Sequence, residues 1–147
     1  MERIFRFPIK VGKESIDVLG HTNNKEYLRW MEEAVVAHSD SLGWTMDRYL
    51  CVACTHKIEY LRPTFEGDEL TMLTWVETMD GAKSRRCFYL KRDNKVCMQG
   101  WTEWTFVDLQ TGRAADISAE VKKNFPLVPP DDPDLKASGV RRSPSQA

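Results

Sequence analysis

The stretch Asp17-Val-Leu-Gly-His-Thr-Asn-Asn-Lys-Glu-Tyr27 decides how the rest of the chain is interpreted. A carboxylate opens it, and Gly20 gives the backbone freedom for a sharp bend. Asn23 is a good N-cap residue, and Glu26 follows it at the spacing of a capping box. The stretch therefore predicts a tight polar turn that leads directly into a helix.

The residues after this turn repeat with a helical period. One stripe carries Tyr27, Trp30, Met31, Ala34, Val35, His38 and Leu42. Most charged side chains of the segment fall off that stripe, and Gly43 follows its last member as a natural stop. The pattern predicts one long amphipathic helix that ends near Gly43.

The junction of turn and helix offers groups that could take part in catalysis. The first turn of a helix offers unpaired N–H donors and the positive end of the helix dipole, and such a site stabilises an oxyanion. A carboxylate held close by, such as Asp17, can act as a general base or a nucleophile. A turn and a well-capped helix without chemistry would use the same residues, and on the residues alone that structural interpretation is the commoner one.

Five further segments have the composition and alternation of strands: 3–11, 50–62, 69–79, 83–92 and 95–108. Asp80-Gly81 is a hairpin signal, and Gly100 inside the last strand predicts a bulge or a close backbone approach. In the second strand the expected shared face carries Val52, Cys54, His56, Ile58 and Tyr60. One helix with strands joined by short turns predicts an α+β fold with an antiparallel sheet.

The motif Asp-x-x-Gly-His-x-Asn-Asn-x-x-Tyr at 17–27, continued by Trp30-Met31-Glu32-Glu33-Ala34, resembles the 4-hydroxybenzoyl-CoA thioesterase-like family of hotdog-fold proteins. Weaker similarities follow at 58–63, 67–70, 104–108 and 111–113, with a short helix from Ser118, so the resemblance covers roughly residues 3–125. It implies a hotdog fold, in which a five-stranded antiparallel sheet wraps around one long helix. Many members carry a second acid two places before the catalytic aspartate, and here Ser15 stands there.

The resemblance also implies an activity and a set of site residues. An acyl-CoA thioesterase hydrolyses a thioester to a carboxylic acid and free CoA, with Asp17 as base or nucleophile and the backbone N–H of Asn24 as oxyanion donor. His21, Asn23 and Tyr27 would shape the site, although a turn residue, a cap and a core aromatic would explain the same three letters. No cofactor is expected, because coenzyme A is part of the substrate.

Binding residues are harder to assign. His56 lies on a face that a ligand pocket could share, but a lone histidine there is more often structural. The phosphates of CoA call for basic side chains at the mouth of the cleft, and the candidates are Arg62, Arg85 and Arg86. Solvated charges beside hairpin turns are the plainer explanation of these arginines. Because Arg85 and Arg86 are adjacent in a strand, at most one of them is expected to face a given ligand.

Two other functions stay open. A hotdog protein that binds acyl thioesters, or serves as a partner subunit without hydrolysing them, would carry the same fold. A dehydratase of this fold is the weaker option, because its histidine-and-acid arrangement has no match here. The pattern Cys51-x-x-Cys54-x-His56 suggests a metal site, but no second pair completes a ligand set, so none is predicted.

Charge and hydropathy limit the partners and the location. The formal net charge of −1 gives no electrostatic reason for nucleic-acid binding. No apolar run approaches the roughly 18 residues of a membrane span, and no secretory signal follows Met1, so we expect a cytoplasmic protein. The resemblance implies a homodimer or tetramer with a cleft between subunits, and Trp75 and Trp101, on the strand face away from the helix, favour association.

The chain divides into two parts by composition. Residues 1–125 form the expected hotdog domain, whereas residues 126–147 hold five of the seven prolines. The second part is expected to be an extended, largely unpacked tail without an assigned function.

Overall fold

The computed structural model describes residues 3–43 and 49–146. The two outer limits predicted for the domain and the tail, residues 1 and 147, therefore lie outside the described residues. Helix α1 spans Asn24–Ser41 and is capped by Asn23. Gly43 has a positive φ of 67°, a conformation that side chains rarely tolerate, and the helix stop predicted there is confirmed. None of the helices in the described ranges is both long and apolar enough to span a membrane.

Five strands form one antiparallel sheet: β1 Phe5–Lys10, β2 Tyr49–Tyr60, β3 Glu69–Asp80, β4 Lys83–Arg92 and β5 Lys95–Asp108. Their spatial order is β1-β3-β4-β5-β2, so β1 and β2 form the two edges. Gly81 turns the β3–β4 hairpin with a φ of 60°. All five predicted strands are confirmed, with end points shifted by a few residues.

Helix α1 lies across one face of this sheet. Tyr27, Trp30, Met31 and Ala34 are buried against a cluster that includes Ile9, Val11, Leu70, Met72, Phe88, Leu90 and Met98. The predicted apolar stripe is therefore the buried stripe, and the α+β arrangement of one long helix in a five-stranded sheet is confirmed. Removing large apolar side chains from water in this way is the main driving force for the fold.

A β-bulge in β2 overturns the predicted face of that strand. The register with β5 shifts between Ala53 and Thr55, which adds one residue to β2. As a result, Cys51 before the bulge and Ile58 after it both pack into the helix-facing core. Val52 is exposed, so its expected place beside Ile58 is wrong, because simple alternation does not survive an inserted residue.

Gly100 has the close approach that its position predicted. It pairs with Ile58 across β2 and β5, and a Cβ atom placed there would lie 2.1 Å from the carbonyl oxygen of Lys57. Only glycine lets the two backbones come this near.

Helix α2 Ala119–Asn124, capped by Ser118 as predicted, packs on the α1 side of the sheet with Val76 and Phe106. The tail that follows contains helix α3 Pro133–Ala137 and packs against the opposite face of the sheet. Val128, Leu135 and Val140 are buried with Ile4, Leu73, Trp75, Cys87 and Tyr89. The expectation of a largely unpacked tail is wrong, because its few large apolar residues cover the second face of the sheet.

Polar contacts hold the tail in place as well. Arg3 pairs with Asp132 and Asp134 at 2.7 Å each, which joins the segment before β1 to the start of α3. Ser143 and Ser145 both donate to the buried carboxylate of Glu77. Trp75 is fully buried beneath the tail, so it is not free to support association as the sequence suggested.

Candidate active site

The turn that opens on Asp17 is closed by its own backbone. The backbone N–H of Asp17 donates to the carbonyl of His21 at 2.9 Å, and the N–H of Gly20 donates to the carbonyl of Asp17 at 3.1 Å. The Oδ1 atom of Asp17 accepts from the N–H of Leu19 at 2.9 Å and of His21 at 3.4 Å. Within the described residues Oδ2 has no hydrogen-bond partner, so one carboxylate oxygen is fixed and the other is available.

The helix that follows leaves one donor free at its start. The side chain of Asn23 accepts from the N–H of Lys25 at 3.1 Å, and the carbonyl of Asn23 accepts from the N–H of Glu26 at 2.9 Å. The N–H of Asn24 has no acceptor among the residues that the structure describes. A free N–H in the first turn of an 18-residue helix is the kind of donor that stabilises an oxyanion.

Glu26 does not complete the predicted capping box. Its carboxylate accepts from Ser15 Oγ at 2.8 Å and from Arg29 Nε at 2.8 Å, while the N–H of Asn23 donates to the carbonyl of Ser15. The hydrogen bond from Arg29 is the largest influence that holds the pKa of Glu26 below its usual value, with a smaller contribution from Ser15. Ser15 therefore ties the segment before Asp17 to the helix, in the place where the resemblance expects an acid.

A second contact clamps the turn to the segment before β3. Thr22 donates from its N–H to the carbonyl of Thr64 at 2.9 Å, and the hydroxyls of Thr22, Thr64 and Tyr27 form a buried chain with separations of 2.6 and 3.0 Å. Burial raises the pKa of Tyr27, so its hydroxyl keeps its proton. Tyr27 is thus a core aromatic that also fixes the turn.

Exposed apolar side chains adjoin the turn that opens on Asp17. Val18 and Leu19, within the turn, are among the most exposed large apolar residues, and Phe65 is 40% exposed. His21 is exposed too, with its ring edge-on to Phe65 at 5.3 Å. Sequence reasoning missed Val18, Leu19 and Phe65, although two adjacent apolar residues inside a polar turn were a signal for a binding surface.

The proposed binding residues lie apart from one another. His56 is exposed on β2 and its Nδ1 is hydrogen-bonded to Thr102 Oγ1 at 2.8 Å. Arg62 is exposed at the end of β2 and donates to the carbonyl of Val96 at 2.6 Å. Arg85 covers the ring of Trp101 at 4.1 Å on the tail side of the sheet.

Arg86 lies on the helix side, with only 5% of its surface exposed, so the two adjacent arginines do face opposite ways. Its guanidinium donates to His38 Nδ1 at 3.0 Å. Because Arg86 is buried, Arg62 and Arg85 remain as the accessible basic candidates for the CoA phosphates.

Chemically, the turn joins a fixed carboxylate to a free backbone donor. An acyl carbonyl resting on the N–H of Asn24 would gain electrostatic stabilisation as charge develops on its oxygen. The free oxygen of Asp17 could take a proton from water or attack the carbonyl carbon.

Similar proteins of known family show where the chain belongs. Residues 11–125 match the model of the thioesterase-like superfamily. The long-chain acyl-CoA thioesterase FadM of Escherichia coli strain K12 is 28% identical over 123 residues, which cover 80% of this chain and 93% of that protein.

Two solved structures show the same fold. The 1,4-dihydroxy-2-naphthoyl-CoA thioesterase Slr0204 of Synechocystis superposes with a TM-score of 0.77 at 12% identity, covering 83% of this chain and 95% of that one. A predicted thioesterase of Bacillus stearothermophilus gives 0.79 at 18% identity, covering 86% and 98%. Since the family model spans most of the chain, this protein belongs to the thioesterase-like superfamily and is a thioester hydrolase with the hotdog fold.

Proposed function

We propose that the protein hydrolyses acyl-CoA thioesters to a carboxylic acid and free CoA at the turn between Asp17 and Asn24. The observation that carries the proposal is a pair of groups without hydrogen-bond partners in the part of the chain that the structure describes: Asp17 Oδ2 and the N–H of Asn24. Two of the similar proteins, FadM and Slr0204, are CoA thioesterases, which supports CoA as the carrier. No cofactor beyond the CoA of the substrate is required.

In this mechanism the thioester carbonyl oxygen accepts from the N–H of Asn24. Asp17 then either activates a water molecule that displaces the CoA thiolate, or attacks directly and displaces it to form a short-lived anhydride, which water hydrolyses. Solvent oxygen in the side chain of Asp17 after a single turnover in labelled water would show direct attack, with water opening the anhydride at the aspartyl carbon, because base catalysis cannot label that side chain. His21 and Asn23 shape the turn, and Tyr27 anchors it through Thr64.

Binding of the nucleotide end is proposed for the accessible arginines. If Arg62 or Arg85 contacts the phosphates, replacing it by alanine raises KM for acyl-CoA and leaves kcat nearly unchanged, because the contact is made equally in the ground state and the transition state. His56 is proposed to line the acyl-binding side of β2. The proposed location is the cytoplasm, which suits the four unpaired cysteines.

The direct test is release of free CoA, followed with a thiol reagent, from acyl-CoAs with short, long and aromatic acyl groups. Steady turnover of at least one of these substrates is expected. Tight binding without CoA release across the whole panel would instead favour the second candidate, a non-hydrolytic protein that binds acyl thioesters. The exposed apolar residues beside Asp17 could serve such binding as well.

A further inference from the structure

A cavity of about 440 Å³ lies between the C-terminal half of α1, the adjoining ends of the central strands and helix α2. Its wall is mainly apolar and includes Val35, Val76, Met79, Phe106, Val121 and Phe125. Val36 and Asp40 are exposed on α1, so they line its rim. The volume falls within the range of about 300–1,000 Å³ that small-molecule sites occupy.

One charged side chain lies inside this wall. Arg86 is 5% exposed and its guanidinium lies 5.6 Å above the ring of Phe125. Its Nη1 donates to His38 Nδ1 at 3.0 Å and to Thr74 Oγ1 at 3.3 Å. Burial lowers the pKa of Arg86 to about 10, so the group stays cationic at neutral pH.

No negative charge balances this cation among the residues that the structure describes. Burial, together with Arg86, lowers the pKa of His38 to about 4, so its ring is neutral at pH 7. Burial raises the pKa of the Cys51 thiol at the cavity wall to about 11, so that group is neutral as well. Asp40 forms no ion pair with Arg86 from its place at the rim.

The remaining donors of Arg86 have no protein partner in the described part of the chain, and Arg86 lines the cavity. Within the described ranges Nε and Nη2 have no hydrogen-bond partner, yet neither is among the wholly buried unpaired atoms, of which Trp75 Nε1 is an example. They therefore keep access to the open space. A buried guanidinium without a counter-ion is costly, and a bidentate carboxylate is the partner that its fork geometry fits best.

We propose that this cavity binds an apolar carboxylate, whose head pairs with Arg86 and whose hydrocarbon part lies against the apolar wall. Val35 follows the start of α1 by about 11 residues, or roughly 16 Å along the helix axis, so within one chain the site is separate from the Asp17 turn. Two sources offer this chemistry: a free carboxylic acid, or the carboxylate at the far end of an acyl group carried on CoA.

The binding test uses the full-length protein and calorimetric titration with straight-chain carboxylates from hexanoate to dodecanoate, each paired with the alcohol of equal length. We expect the best carboxylate to bind at least about tenfold more tightly than its alcohol, as a charge-assisted hydrogen bond in a dry site should provide. Arg86→Met removes the charge at similar size and should abolish the preference. The matched control is Arg85→Met, on the other face of the same strand, which should keep it.

Equal binding of carboxylates and alcohols by the wild type, or no binding at any chain length, would overturn the proposal. So would a preference that survives Arg86→Met. If that variant does not fold, as judged by circular dichroism, Met79→Trp provides the second route, because it fills the cavity and leaves Arg86 in place. Its carboxylate affinity should fall about tenfold or more, and an unchanged affinity would contradict the site.

A kinetic arm separates the two sources and rests on the proposed thioesterase function. It compares CoA thioesters of equal length whose acyl groups end in a methyl group or in a carboxylate. A higher kcat/KM for the carboxylate-ended substrate, lost in Arg86→Met, assigns the site to the acyl group. If the two thioesters have equal kcat/KM and Asp17→Asn still binds the free carboxylate, the site is assigned to the free acid. Absence of all hydrolysis would contradict the proposed function and leave the binding result intact.

Discussion

At the scale of single residues, the contrast between Asp17 and Glu26 shows how position separates two carboxylates in one segment. Glu26 is buried and fully used by Ser15 and Arg29, so it holds the segment before the turn against the helix. Asp17 is held by one oxygen only. The first carboxylate is therefore a structural contact, and the second is the one that we propose takes part in the chemistry.

His38 provides a pH-dependent test of the interior. Its pKa in the folded chain is about 4, below the ordinary 6.5, so between these values the unfolded chain binds a proton that the folded chain does not. Stability therefore falls as the pH drops from 7 toward 4. Between pH 7 and 5 the loss from this group is about 2 kcal/mol.

Urea unfolding at pH 7 and pH 5 measures this loss. His38→Gln keeps an acceptor for Arg86 but cannot titrate, so its stability should change less than that of the wild type over the same interval. Identical pH dependence for wild type and His38→Gln would mean that the histidine is not buried as described.

At the scale of elements, the helix and the strands were predictable because their side chains follow simple periods. The stripe from Tyr27 to His38 and the hairpin at Asp80-Gly81 needed only local rules. The bulge in β2 was not predictable, since nothing in the letters around Cys54 marks an inserted residue. The free N–H of Asn24 follows from helix geometry, but the use of Glu26 by Ser15 and Arg29 depends on tertiary contacts.

The contact at Gly100 predicts a large effect from one methyl group. In Gly100→Ala the new Cβ would meet the Lys57 carbonyl, so β2 and β5 must separate. We expect the free energy of unfolding to fall by about 1–3 kcal/mol or more, because the obstacle is backbone. Urea denaturation measures it, with Thr55→Ala on exposed β2 as a control that should change by less than about 0.5 kcal/mol. A Gly100→Ala value as small as the control would disprove the close approach.

At the scale of the whole molecule, the packing of the tail could not be predicted from its composition, because its prolines indicate an extended segment and its apolar residues are few. Val128, Leu135 and Val140 are widely spaced in sequence, and only the folded sheet shows that they meet one apolar face. Asp132 and Pro133 did carry a local signal for α3, a capping residue followed by proline at the first helical position.

Two leucines of the tail give a matched test of this packing. Leu135 is 2% exposed and Leu127 is 42% exposed. Leu135→Ala should lower the free energy of unfolding by about 2–5 kcal/mol, while Leu127→Ala should cost far less, because only the first leaves a cavity. Small and equal effects of the two substitutions in thermal or urea unfolding would mean that the tail does not cover the sheet.

Assembly belongs to the same scale. Strand β2 is a sheet edge with exposed Val52 and Tyr60, and such an edge can pair with a second copy. We expect light scattering to give a homodimer or a tetramer, and Val52→Lys to shift the mass toward the monomer with loss of activity. A strictly monomeric and fully active wild-type protein would contradict a cleft shared between subunits.

The central claim is that Asp17 performs the chemistry, and the turnover of Asp17→Asn tests it most directly. The substitution keeps size and most turn hydrogen bonds but removes the negative charge. With the best acyl-CoA substrate, kcat should fall by a factor on the order of 10² to 10⁴ in a folded protein, as for a lost base or nucleophile. Asp131→Asn, at an exposed tail position, should keep the wild-type rate. A wild-type rate in Asp17→Asn would make Asp17 a turn residue and contradict the account.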